Sequence, residues 1–236
     1  MDTMGGEIVD YLHQADFSVV IQLAFLGNFL LFFLSITFYA VAHYLYNSKQ
    51  ELVERHPILK ADIGNAILNI SLNAVVAIAG IYMLRIGWIK IVDLDWKVFP
   101  IKFLGVLFLV DFLMFILHWL VHKSILYRYF HYRHHTFERT NALSLFVMHP
   151  LENVMFGAIL IITFMLIPCD IFTVGFYLGF NLLWGILGHI GFNLFEFKNR
   201  WITNGLFHMN HHHDIHVNFG FYTSIWDRLF KTHRES

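Results

Sequence analysis

The chain has 236 residues, of which 57% are hydrophobic and only 14% charged, with a net charge of −1. So little polar surface cannot cover a soluble domain of this length, so the sequence reads as an all-α integral membrane protein. The near-neutral charge and the lack of a basic tail or RNA-binding motif argue against nucleic acid as a partner, and the single cysteine, Cys169, excludes an intrachain disulfide and thiolate-rich zinc or iron–sulfur sites.

In chain order, residues 1–16 are acidic and carry no basic n-region or small-residue cleavage site, so they read as a retained N-terminus. Residues 17–46 are nearly continuous in apolar character and long enough to cross a bilayer. A polar connector with a proline follows at 47–60, then a second span at about 63–84. That span carries Asn65, Asn69, Ser71 and Asn73, which are costly against lipid and are expected to face neighbouring helices. Residues 85–100 read as an interfacial segment, and a third span runs over 101–122.

The third span ends on His118 and His122 and carries Asp111, an acid at membrane depth. At 100° per residue these three side chains lie within about 40° of one another on one helical stripe. Asp111 is therefore expected to accept a hydrogen bond from a metal-holding histidine or its neighbour. A wet, basic stretch at 123–148 holds His131, His134 and His135 in an H-x-x-H-H pattern, read as a pair for one ion and a neighbour for a second. Then comes His149-Pro150-Leu151-Glu152, with the proline acceptable at a helix start. Two apolar runs, about 154–167 and 171–190, meet at Pro168-Cys169-Asp170 and are expected to form a membrane hairpin that returns His149 and His189 to one side. The remainder, 191–236, is soluble in character and repeats H-x-x-H-H at His208, His211 and His212, with His213 and His216 following.

His13, His43, His56 and His233 stand alone and are expected to be ordinary structural residues. The other twelve of the sixteen histidines fall at ligand spacings, which points to a metal centre built mainly of imidazole and too large for one ion. Imidazole suits Zn, Cu, Fe and Ni alike, so the ligand type does not name the metal. A site at the ends of membrane helices favours lipid substrates, whose unactivated C–H bonds require O2 and a redox metal; a di-iron centre is the simplest choice. Twelve of the sixteen Lys and Arg residues lie in 47–60, 123–148 and 191–236, which puts that side in the cytoplasm. The N-terminus is then expected on the other side. Two regions are expected, 1–100 with two spans and 101–236 with the catalytic residues, within one continuous membrane-embedded domain.

His118-x-x-x-His122, His131-x-x-His134-His135 and His208-x-x-His211-His212, followed by Asn218-Phe219-Gly220 and Trp226-Asp227-Arg228-Leu229-Phe230, resemble the fatty acid hydroxylase/sterol desaturase superfamily. The resemblance covers about 111–232 and implies an O2-dependent, non-haem di-iron enzyme of the membrane. It implies the metal ligands His118, His122, His131, His134, His135, His189, His208, His211 and His212. His149, Asn193, His213 and His216 stand as possible additional ligands or supports. Lys231 departs from the pattern, standing where the family usually has glycine. Two Fe ions are the implied cofactors, with zinc a substitute in purified protein. The partners are a lipid from the bilayer, O2 and an external electron donor such as cytochrome b5 or ferredoxin with its reductase. Hydroxylation is the favoured outcome, with desaturation or C–C cleavage as the alternatives, and a membrane metal-binding or transport protein as the reading outside this class. The membrane is expected to be the endoplasmic reticulum in a eukaryote or the inner membrane in a bacterium.

Overall fold

The computed structural model describes residues 3–47, 57–123, 125–136, 140–192 and 201–234. Helices dominate: α1 (Thr3–Gln14), α2 (Phe17–Asn47), α3 (Lys60–Arg85), α4 (Phe99–His122), a π-helical turn over Tyr127–His131, α5 (Tyr132–His135), α6 (Pro150–Leu166), α7 (Ile171–Gly188), α8 (Gly205–His213) and α9 (Ile225–Leu229). Among the described residues there is no β-sheet, only isolated bridges at Ile91–Cys169 and Ile202–Thr223. Four helices, α2, α3, α4 and α7, are long and apolar enough to cross a membrane, and α6 is a shorter apolar helix of 17 residues. This is the three-span-plus-hairpin arrangement expected from hydropathy.

Local chemistry sets the helix ends. Asp170 caps α7 by accepting from the backbone N–H of Thr173 at 2.8 Å and from its hydroxyl at 2.7 Å, just past the helix-breaking Pro168. Asn204 caps α8 through the N–H of Phe207 at 2.8 Å. The bundle core joins α4, α6 and α7 through Val106, Val110, Ile159, Phe164 and Tyr177. α3 lies so close to α6 that a Cβ on Gly157 would sit 2.7 Å from the methyls of Val76; only glycine permits this approach.

α1 packs against α3 and α7 at the end of the bundle away from the histidines. Arg85 closes α1 from a distance, donating to the carbonyls of Leu12 at 2.8 Å and Ala15 at 2.6 Å. At the opposite end, Arg133 reaches Asp62 of α3 at 3.4 Å and ties the histidine-bearing turn to the bundle.

Candidate metal centre

The nine histidines expected to bind metal come together in two groups, at one end of α4 and α7. His118, His122, His131, His135 and His211 form one; His134, His189, His208 and His212 form the other. Within each group the candidate ligand nitrogens all lie within 4.8 Å of one another. The two H-x-x-H-H motifs divide in a reciprocal way. His131 and His135 join the first group while His134 joins the second; His208 and His212 join the second while His211 joins the first. The shared pair is thus i, i+4, separated by about 40° around a helix, and the i+3 histidine serves the neighbouring group. This differs from the i, i+3 pair plus neighbour expected from spacing. The groups abut, with the rings of His135 and His212 stacked at 4.7 Å between centroids.

Several imidazoles are fixed through Nδ1. His118 donates to the carbonyl of Phe219 at 3.0 Å, His189 to Gly185 at 2.8 Å, His211 to Val217 at 2.7 Å and His134 to Val147 at 3.4 Å. His131 Nδ1 meets the carboxylate of Glu152 at 2.5 Å, with both side chains 3% exposed. A carbonyl oxygen only accepts, so the four carbonyl contacts place the proton on Nδ1 and leave Nε2 bare, and Glu152 does the same for His131 when it is ionised. Burial holds His134, His208, His211 and His212 well below the usual imidazole range, and their neighbouring imidazoles push the same way. For the same first cause His135 falls to about 3 and His189 to about 4.

The bare nitrogens face one another. Nε2 of His134 is 3.3 Å from Nε2 of His189, and Nε2 of His118 is 3.1 Å from Nε2 of His131. Two lone pairs in such contact repel unless a cation lies against both. Metal–nitrogen bonds of about 2.1 Å at tetrahedral or octahedral angles put neighbouring ligands roughly 3.0–3.4 Å apart, so the spacing suits a metal ion. The buried nitrogens of His122 and His135 and Nε2 of His211 have no hydrogen-bond partner among the described residues, which is what ligand atoms require. Both groups could therefore hold metal ions.

The other expected residues take different places. Asp111 is fully buried, yet its partners are not histidines: it accepts from the N–H groups of Tyr222 at 2.8 Å and Thr223 at 3.3 Å, from the Thr223 hydroxyl at 2.6 Å and from Trp226 Nε1 at 3.0 Å. It clamps the C-terminal segment that supplies the Val217 and Phe219 carbonyls. His149 caps α6 by accepting from Leu151 N–H at 3.2 Å and belongs to neither group. His213 and His216 are exposed, and α8 ends at His213, so the face shared by His212 and His216 in a continuing helix does not form. Asn193 lies outside the described residues. His43, expected to be structural, pairs with the carbonyl of Ile190 at 2.9 Å.

Two further carboxylates, Glu152 and Asp227, support the site although the sequence pattern alone assigns them no role in it. Glu152 read as a first-turn acid, although its place three residues after His149 in an H-P-L-E run was visible. Asp227 accepts from the N–H groups of Phe219 at 2.8 Å and Gly220 at 2.7 Å and from the Thr232 hydroxyl at 2.7 Å, shaping the Asn-Phe-Gly turn beside His118. Asn218 in that turn sits at φ 59°, a left-handed conformation that asparagine tolerates.

Below the histidines lies a cavity of about 570 Å³ between α2, α3, α6 and α7, reached by His118, His131, His134, His189 and His208 at one end and by Leu12, Ile91 and Ile171 at the other. Its size falls within the range of small-molecule sites, and most of its wall is apolar.

The family model for fatty acid hydroxylase matches residues 103–232, more than half of the chain. Among curated proteins the chain is 28% identical over 162 residues to a Delta(7)-sterol-C5(6)-desaturase of Nicotiana tabacum, covering 65% of this chain and 59% of the relative. It is 32% identical over 132 residues to a cholesterol 25-hydroxylase-like protein of Danio rerio, covering 53% of each. It is 25% identical over 153 residues to lathosterol oxidase of Rattus norvegicus, covering 61% of this chain and 46% of the relative. The chain therefore spans about half the length of the curated relatives it matches. No solved structure gives a significant match. With the matched region running from α4 through every clustered histidine to Thr232, the chain belongs to the fatty acid hydroxylase family.

Proposed function

We propose that this protein is a membrane-bound oxidoreductase that uses two iron ions and O2 to oxidise a lipid C–H bond, with hydroxylation as the outcome. One observation carries the reading: two groups of buried imidazoles, with bare nitrogens at ligand separation, close one end of an apolar cavity inside a bundle of membrane-spanning helices. His118, His122, His131, His135 and His211 would hold one ion, and His134, His189, His208 and His212 the other. Bound there, iron supplies the activation of O2 needed to remove hydrogen from an unactivated carbon.

The chain's own residues do the rest. Glu152 and the carbonyls of Phe219, Val147, Gly185 and Val217 hold the imidazoles in the Nδ1–H form and aim Nε2 inward. The apolar wall aligns a lipid taken from the bilayer and keeps water from competing at the reacting carbon. The basic segments 123–148 and 191–236 face the cytoplasm by the positive-inside rule. Electrons would arrive there from a carrier such as cytochrome b5 or ferredoxin with its reductase.

The relatives' names include both desaturases and hydroxylases, and these outcomes diverge only after hydrogen is removed. A transport role fits less well. The clustered imidazoles lie at one end of the helices, and the cavity beyond them offers an ion mostly hydrocarbon. The test is mass spectrometry of lipids from cells grown under isotopically heavy O2 and expressing either the protein or its His135→Ala variant. An oxygenated lipid carrying the heavy isotope should appear with the first and vanish with the second. Identical lipid profiles would remove the proposal.

A further inference from the structure

The cavity wall changes character along its length. On α3 it presents Asn69 and Asn73, then only apolar residues as far as Leu84. On α6 it presents Asn153 beside Glu152, then only apolar residues to Phe164. α7, followed away from the histidines, presents Asn181 and then hydrocarbon to Ile171. In all three helices the amide lies toward the histidine end. The apolar stretch from Asn73 to Leu84 is about 16 Å long at 1.5 Å per residue.

Packing between helices accounts for only part of these amides. Asn69 is 1% exposed, and its Nδ2 lies 2.8 Å from Asn65 Oδ1, 3.0 Å from the carbonyl of Phe146 and 2.9 Å from that of Met148. Three acceptors around that atom fix it as the nitrogen. Its Oδ1 is then left buried with no hydrogen-bond partner among the described residues, on a side chain that lines the cavity. A buried amide oxygen without a donor is costly, so the site is incomplete as an apolar container. Asn73 is one turn deeper on the same face of α3, also on the cavity wall, and makes no side-chain hydrogen bond among the described residues.

We propose that Asn69 and Asn73 form a subsite for the hydroxyl group of an amphiphilic lipid, which lies with its hydroxyl toward the histidines and its hydrocarbon body toward α1. The group must be a donor, because Asn69 offers only an acceptor; an ester or ether oxygen would leave Oδ1 unmet. The Asn73 amide can donate to the hydroxyl oxygen in return. The inference rests on the proposed lipid oxidation for its consequence, that the carbon attacked lies near the hydroxyl end and not at the far end of the tail.

The experiment uses the full-length, metal-loaded protein in lipid nanodiscs, without reductant, so that binding is read apart from turnover. Two photoreactive long-chain alkanols serve as probes, one with a diazirine at the end of the tail and one with a diazirine beside the hydroxyl-bearing carbon. Peptide mapping should place the tail label near Leu84 or Ile171 and the other near Asn73 or Phe146. Reversed labels, or both labels at one place, would overturn the proposal. Wild-type protein should also bind the alkanol about fivefold more tightly than its methyl ether, the weight of one net hydrogen bond. Asn73→Leu should weaken alkanol and ether alike and leave the preference in place, because an ether oxygen also accepts from the Asn73 amide and the preference comes from Asn69. An ether bound as tightly as the alcohol by the wild type overturns the subsite without recourse to any variant. Labelling and preference as expected, with no oxidation once reductant and O2 are supplied, would refute the oxidation and leave the subsite standing.

Discussion

Asp111→Asn is expected to weaken the fold before it touches the chemistry. Every group facing the carboxylate is a donor: two backbone N–H groups at Oδ1, and the Thr223 hydroxyl and Trp226 Nε1 at Oδ2. The backbone donors cannot reverse, so an asparagine must turn its NH2 toward Thr223 and Trp226. The threonine hydroxyl can rotate to accept, whereas the indole N–H cannot. The variant therefore loses the Trp226 bond and sets two donors against each other. Hydrogen bonds to a charged group contribute about 1.5–3 kcal/mol each, and relief from burying a charge offsets part of the loss, which leaves about 2 kcal/mol of destabilisation. For a chain of this size that is roughly 4–8 °C in Tm. The assay is thermal unfolding of metal-free wild type and variant in the same detergent, followed by metal affinity. Affinity should fall as a consequence, because the clamped segment carries the Val217 and Phe219 carbonyls that orient His211 and His118. An unchanged Tm with turnover abolished would refute this reasoning and place Asp111 in the reaction itself.

Glu152→Gln keeps an acceptor for His131 Nδ1 but removes its charge, so metal affinity in a chelator competition should drop about 10–100-fold; wild-type affinity would mean that the 2.5 Å contact does not tune the site. Lys231 sits at φ 59°, where a side chain costs roughly 1–2 kcal/mol, so Lys231→Gly should raise stability by about 1 kcal/mol after glycine's larger unfolded-state entropy is subtracted. A loss of stability on denaturant unfolding would show that the lysine side chain makes a compensating contact. His208→Ala should empty the second group, whereas His213→Ala and His216→Ala, both at exposed positions, should retain metal and turnover; the opposite order would move the ligand set toward the C-terminus.

The spans were legible because continuous hydropathy reports them directly: the runs at 17–46, 63–84 and 101–122 correspond to α2, α3 and α4 within a few residues. The hairpin was legible from Pro168 and the Asp170 cap. α1 was not, since its twelve residues include Gly5 and Gly6 and its C-terminal carbonyls are met by Arg85, 70 and 73 residues away. Histidine spacing identified which side chains gather, but not how they divide: in both H-x-x-H-H motifs the i, i+4 pair goes to one group and the i+3 histidine to the other, a division set by where the facing elements lie and not by spacing alone. Asp111 shows a further limit. Periodicity placed it correctly on the stripe of His118 and His122, yet it could not reveal that residues 222–226 would fold back 111 or more positions later to meet it. Likewise the asparagines of α3 read as contacts between helices. Asn69 does make such contacts, but the cavity that it and Asn73 line depends on four helices together.

Metal content tests the central claim most directly. Freshly purified, catalytically active protein, measured by elemental mass spectrometry against amino-acid analysis, should contain two iron ions per chain, one for each imidazole group. His135→Ala and His212→Ala, drawn from different groups, should each lower that content and abolish turnover. Active protein holding less than one metal ion per chain would contradict the account.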